Sequence, residues 1–166
     1  MLQLIKTIKK RDPAIHSWLE TLLYPGLWAI VFHRPAHLLY RCKLFFIARL
    51  ISQCTRFFTG IEIHPGAQIG NAVFIDHGMG VVIGETCKIG NHVQMYHGVT
   101  LGATSSEKIQ RHPIIGNHVI IGANATILGA ITIGNHAKIG AHALVIKNVP
   151  DNGLVLAEPS HYKIES

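Results

Sequence analysis

Ile115-Gly116-Asn117-His118-Val119-Ile120-Ile121-Gly122-Ala123-Asn124-Ala125-Thr126-Ile127 repeats itself every six residues, and this beat decides the fold. It continues through Ile133, Ile139 and Val145. Upstream it runs Ile63, Ile69 and Ile75, slips by two residues, and resumes at Ile83, Ile89, Met95 and Leu101. A small or β-branched residue stands two places before each beat, as at Ala67, Val73, Val93, Val99, Val119, Ala125, Ala137 and Ala143, and a glycine often follows it. A helix wants apolar residues at three- and four-residue spacing, whereas this pattern puts two alternate residues inward on a short extended segment and then turns. Each hexad is one flat side of a coil, and no coil buries its own aliphatic row, so coils must stack. Three sides per coil predict about five coils between Ile61 and Val149. The glycines, and Asn71, Asn91, Asn117 and Asn135, suit corners that need unusual backbone angles or close approach.

The remainder of the 166 residues reads as a helical preamble over 1–57 and a tail over 151–166, flanking a repeat domain over 58–150. Asp12-Pro13 predicts a helix start leading through Ile15, Trp18, Leu19 and Leu22, broken at Pro25-Gly26. A second helix carries Leu27, Ile30 and Val31 as far as Pro35, and a third runs from about Ala36 to Phe58. These helices are expected on the open end of the repeat column or on a second copy of the chain. The apolar run Thr21 to Phe32 is too short and too interrupted to span a bilayer, and no signal peptide follows the basic start. Three cysteines without a C-x-x-C pair point to reduced thiols in a cytoplasm, with Cys87 in the core. Much of the formal charge of +6 lies in the preamble, but it forms no dense basic block with interleaved aromatics, which argues against nucleic acid.

Two places interrupt the beat and hold polar residues that stacking does not need. Asp76-His77-Gly78-Met79-Gly80 inserts two residues, and Ala103 to Pro113 is a loop ending in Arg111-His112-Pro113. Loops on a rigid scaffold are where function tends to sit. A histidine can take the proton of an attacking alcohol, a carboxylate can fix its tautomer, and an arginine can grip a substrate carboxylate by two hydrogen bonds.

The run Ile61-Glu62-Ile63-His64-Pro65-Gly66-Ala67-Gln68-Ile69-Gly70, with Ile75-Asp76-His77, Gly84-Glu85-Thr86, Val99-Thr100-Leu101-Gly102 and Arg111-His112-Pro113, resembles the serine acetyltransferases of bacteria and plants. Arg11-Asp12-Pro13-Ala14 extends the resemblance to the preamble. The resemblance implies a mainly β fold, a left-handed parallel β-helix that assembles as a trimer, or a hexamer, with active sites between subunits. It implies acetyl-CoA as co-substrate, L-serine as acceptor and no metal. His77 would be the general base with Glu62 as its orienting carboxylate. Asp12, Asp76, Arg111 and His112 would hold the amino acid, and backbone near Ala103, Ala123 and Ala141 would carry the coenzyme. Ala103 replaces a family glycine, and Leu156 to Tyr162 replaces the usual Gly-x-Pro-Ala-Arg segment. The tail also lacks the terminal isoleucine of many relatives, which argues against a complex with cysteine synthase, and the short preamble favours the trimer. Alternatives are an acetyltransferase acting on a sugar hydroxyl, a non-catalytic scaffold, and a γ-type carbonic anhydrase using His92 and His97. A third zinc ligand for the last is missing, because Arg56 stands thirty-six residues before His92.

Overall fold

The computed structural model describes residues 2–158. Its repeat segment is a three-sided coil whose strands form three parallel sheets, here called faces. The first face stacks Glu62–Ile63, Val82–Ile83, Thr100–Gly102, Thr126–Leu128 and Leu144–Val145. The second stacks Gln68–Ile69, Lys88–Ile89, Ile114–Ile115 and Thr132–Ile133, and the third runs from Phe74–Ile75 through Gln94–Met95, Ile120–Ile121 and Lys138–Ile139 to Leu154–Val155. The first corner joins the first and second faces, the second corner joins the second and third, and the third corner returns the chain to the first.

Register shows where the interruptions go. Val82 pairs with Thr100 and Thr126 with Leu144, eighteen residues apart. Glu62 pairs with Val82, twenty apart, so the two extra residues near His77 are absorbed at the third corner. Thr100 pairs with Thr126, twenty-six apart, so the long loop is extruded at the first corner without disturbing the stack. The expected end of the repeat domain at 150 falls short, because Leu154–Val155 pairs with Lys138–Ile139 and adds a strand to the third face. Of the divergent tail, residues 159–166 lie outside the described residues.

Inward side chains form one continuous column. Ile83, Met95, Leu101, Ile121, Ile127 and Ile133 are almost wholly shielded from solvent, as are Ala67, Val93, Val99, Val119, Ala125 and Ala137. Cys87 shares the column, and burial pushes its thiol up to about 12, so it serves as packing. Interiors this dense relax little around a cavity. Ile127→Ala is therefore expected to lower stability by about 2–5 kcal/mol, read as a shift of the urea midpoint at unchanged slope.

Corner chemistry differs from the sequence expectation. Asn71, Asn91, Asn117 and Asn135 are not left-handed; that conformation falls one place later, on Ala72, His92, His118 and His136, with φ of 55 to 59°. The asparagines act as a ladder instead. The Oδ1 of Asn91, Asn117 and Asn135 each accepts the backbone N–H of the asparagine one coil earlier, at 2.8 Å. The histidines after them stack, His92 on His118 at 4.9 Å and His118 on His136 at 4.8 Å. Gly90 is needed for close approach: a Cβ there would meet the Gly116 carbonyl oxygen of the next coil at 2.6 Å.

The helices also depart from expectation. Helix α1 spans Leu2–Arg11, and Asp12 follows its end instead of opening the next helix. The downstream start is Ser17, whose side chain caps a short 3₁₀ turn, Trp18–Leu23, while Glu20 reaches back to the Ser17 N–H. Pro25 does not break a helix but begins α2, Pro25–Arg41, since its missing N–H costs nothing at the first position. Pro35 lies inside α2, and the break comes at Cys42 to Leu44, where Lys43 is left-handed. Helix α3, Phe45–Thr59, ends at left-handed Gly60. Leu4, Ile8, Leu27, Ala29 and Ile30 join Ile61, Val73, Phe74 and Ile75 in one core, so the helices cover the first coil. Gly26 brings α2 close, since a Cβ there would lie 2.3 Å from the Ile75 carbonyl oxygen. Arg11 ties α1 to the coils by donating to Gln94 Oε1 at 2.9 Å and the His92 carbonyl at 2.7 Å. Among the described residues, no helix is long and apolar enough to cross a membrane.

Candidate active site

The predicted site residues gather at two different corners. At the third corner, Asp76 and His77 leave the third face on a turn in which His77 takes φ 59° and Gly78 takes φ 77°. That turn is closed by the Gly78 N–H on the Asp76 carbonyl at 2.7 Å. It lifts the His77 side chain into solvent, 75% exposed, with Nε2 3.9 Å from Asp76 Oδ1. The His97 ring, one coil later, stands edge-on at 6.0 Å. Burial holds the Asp76 carboxyl above its ordinary range, and the neighbouring negative charge of Asp12 adds to the effect.

Asp12 is brought to the same corner by the preamble. Its carboxylate accepts the Ala14 N–H at 2.8 Å and the Tyr24 hydroxyl, and these bonds hold it below its ordinary range, with His77 contributing a smaller pull. Two carboxylates thus flank one exposed imidazole. This arrangement suits an ammonium group beside an alcohol that must lose its proton. Above it on the same corner stand Ala123 and Ala141, linked by the His142 N–H on the Ala123 carbonyl at 2.8 Å.

Arg111 and His112 occupy the first corner, with the whole first face between them and His77. Thr86 organises both. Its N–H donates to His112 Nδ1 at 3.2 Å, which makes Nδ1 an acceptor and leaves the ring proton on Nε2. The Thr86 hydroxyl oxygen lies 2.9 Å from Nδ1 and accepts the backbone N–H groups of Arg111 and His112, each at 3.1 Å. His112 is 6% exposed, and desolvation, followed by the charge of Arg111, keeps its pKa down. The result is a fixed neutral ring whose Nε2–H serves as a donor. Gln110 clamps the turn by donating to the carbonyls of Thr86 and His112, both at 2.7 Å. The Arg111 guanidinium donates to Glu85 Oε2 at 3.0 Å, and Ala103 begins the same loop.

Glu62 is held in ion pairs. Arg49 and Arg56 of α3 claim its two oxygens at 3.0 and 3.1 Å, so Asp76 is the carboxylate beside the His77 ring. His92 and His97 are separated, His92 in the stack on the second corner and His97 on the third, so no one corner of a coil presents both. Among the described residues no three histidines, cysteines or carboxylates converge on one point. Sequence reasoning assigned no role to Thr86, Glu85, Tyr24 or Tyr40. The only signal was Gly84-Glu85-Thr86, where a carboxylate and a hydroxyl follow the glycine in place of the asparagine found at Gly90-Asn91 or Gly116-Asn117.

The family model for bacterial transferase hexapeptide, six repeats, matches residues 112–147. The serine acetyltransferase of Bacillus subtilis is 54% identical over 163 residues, 98% of this chain and 75% of the relative. The chain belongs to the serine acetyltransferases. By family it is an acyltransferase, and serine acetyltransferases take their acetyl group from acetyl-CoA. Solved members share the fold. Serine acetyltransferase isoform 3 of Entamoeba histolytica, crystallised with cysteine, superposes with a TM-score of 0.92 at 43% identity, covering 99% of this chain. The Brucella abortus serine acetyltransferase, crystallised with coenzyme A, gives 0.91 at 38% identity over 96% of this chain. This chain spans 59% and 64% of those two solved chains.

Proposed function

We propose that this acetyltransferase acts on L-serine, with His77 as the base that takes the hydroxyl proton. The serine oxygen attacks the thioester carbonyl of acetyl-CoA directly, and the imidazolium then returns the proton to the departing thiolate. Asp12 and Asp76 face the serine ammonium, and Arg111 with His112 Nε2–H takes its carboxylate. The supporting observation is the pair of carboxylates around the exposed His77 ring, on the corner where Ala123 and Ala141 stack. Acetyl-CoA runs along that corner and past Ala103 of the opposing loop.

Since one chain holds the base and the carboxylate clamp on separate corners, a complete site needs the third corner of one copy against the first corner of another. A closed trimer satisfies this three times with one kind of contact. Glu62 takes the orienting place behind His77 only where Arg49 and Arg56 release it.

The test is thiol release from acetyl-CoA with L-serine, L-homoserine and simple sugars compared as acceptors. Serine-dependent release is expected. Release with sugars alone would move the chain to polysaccharide modification.

A further inference from the structure

We propose that Glu85 and Tyr40 form a tether by which helix α2 positions the Arg111 guanidinium for a substrate carboxylate, making both of them positioning residues. The inference rests on the proposed role of Arg111.

Arg111 lies in the loop between Gly102 and Ile114, with no strand or helix of its own to aim it. A long side chain on such a loop samples many rotamers, and a substrate that orders it loses affinity in doing so. Glu85 removes that disorder beforehand. Its Oε2 accepts from Arg111 Nη2 at 3.0 Å while its Oε1 accepts from the Tyr40 hydroxyl at 2.7 Å. Tyr40 is itself packed on two rings. It sits in the last turn of α2, edge-on to Phe45 at 5.0 Å and to His64 at 5.5 Å. The contact spans forty-five residues of sequence, from the helical preamble to the first corner.

Electrostatics agree with this role. The Tyr40 hydrogen bond is the leading reason that the Glu85 carboxyl is held low, so Glu85 stays charged as a partner for Arg111. Of the five guanidinium N–H groups, one is taken by Glu85 and one by the Ser105 carbonyl at 3.4 Å, which leaves three for a ligand. The ion pair is about a third exposed, at 28% and 35%, and so contributes little to folding. Its consequence lies in where it points the arginine.

The test compares L-serine with L-serinamide, which keeps the hydroxyl and ammonium but lacks the carboxylate. Arg111→Ala is the reference: KM for serine should rise by at least tenfold, with kcat/KM for serinamide within about twofold. Glu85→Gln should show the same selectivity with a rise of about five- to tenfold, and Tyr40→Phe a rise of about threefold, at an unchanged melting temperature. Adding Tyr40→Phe to Glu85→Gln should change nothing further, because both act through one carboxylate. The tether is overturned if Glu85→Gln leaves KM for serine unchanged while Arg111→Ala raises it, or if it impairs both acceptors equally. Equal impairment of both acceptors by Arg111→Ala would instead refute the clamp on which the tether rests.

Discussion

Acetyl transfer to serine is expected to fall about 10²–10⁴-fold when His77 is replaced, the range a positioned general base contributes. The choice of replacement matters because His77 occupies a left-handed turn at φ 59°. Alanine is strained there, whereas asparagine tolerates the conformation through its short polar side chain, so His77→Asn separates lost chemistry from a lost turn. With the side chain 75% exposed, no core packing is removed, and the melting temperature of His77→Asn should stay within a few degrees. The loss should appear in kcat, since Asp12, Asp76 and Arg111, the residues proposed to hold serine, are unchanged. Near-normal turnover in a well-folded His77→Asn protein would end the base assignment.

Gly84→Ala should reduce activity about as much as His112→Ala, on the order of 10²-fold, without removing any polar side chain. Gly84 is not in a left-handed conformation, so alanine is acceptable to the backbone itself. The obstacle is the His112 ring: a Cβ at position 84 would lie 1.9 Å from its Cδ2 and 2.1 Å from its Nε2. The ring must swing away, and it then loses the Thr86 N–H and hydroxyl that hold Nδ1. The two changes should not add. Once His112→Ala has removed the ring, Gly84→Ala meets no obstacle, and the double variant should match His112→Ala alone. A Gly84→Ala enzyme with wild-type kcat and KM would show that the ring's placement is immaterial to the reaction.

Legibility differed between the column and its ends. The inward positions from Ile63 to Val145 could be read because burial repeats with the period of the chain, and both interruptions announced themselves by breaking that period. The preamble has no such redundancy. Asp12-Pro13 carries a valid helix-start pattern, but Asp12 is held by Ala14 and the Tyr24 hydroxyl beyond the end of α1, and Ser17 with Glu20 makes the cap. Pro35 reads as a breaker, yet α2 passes through it with Leu27, Ile30, His33 and Ala36 buried on either side. Packing outweighed one missing hydrogen bond.

What the sequence determined by itself was the stacked three-sided coil, its aliphatic column, and the identity of His77, Arg111 and His112 as residues the stack does not require. Those are local matters, set by a six-residue period in which each side chain's direction follows from its place in the repeat. Only the tertiary structure decided that His77 and Arg111 stand on different corners, that Arg49 and Arg56 occupy Glu62, and that Thr86, Glu85 and Tyr40 are hydrogen-bonded in one set with Arg111 and His112. The reason is physical: these contacts join positions one coil or one helix apart, and hydrogen bonds over such separations follow from how coils and helices are brought together, which no local pattern encodes.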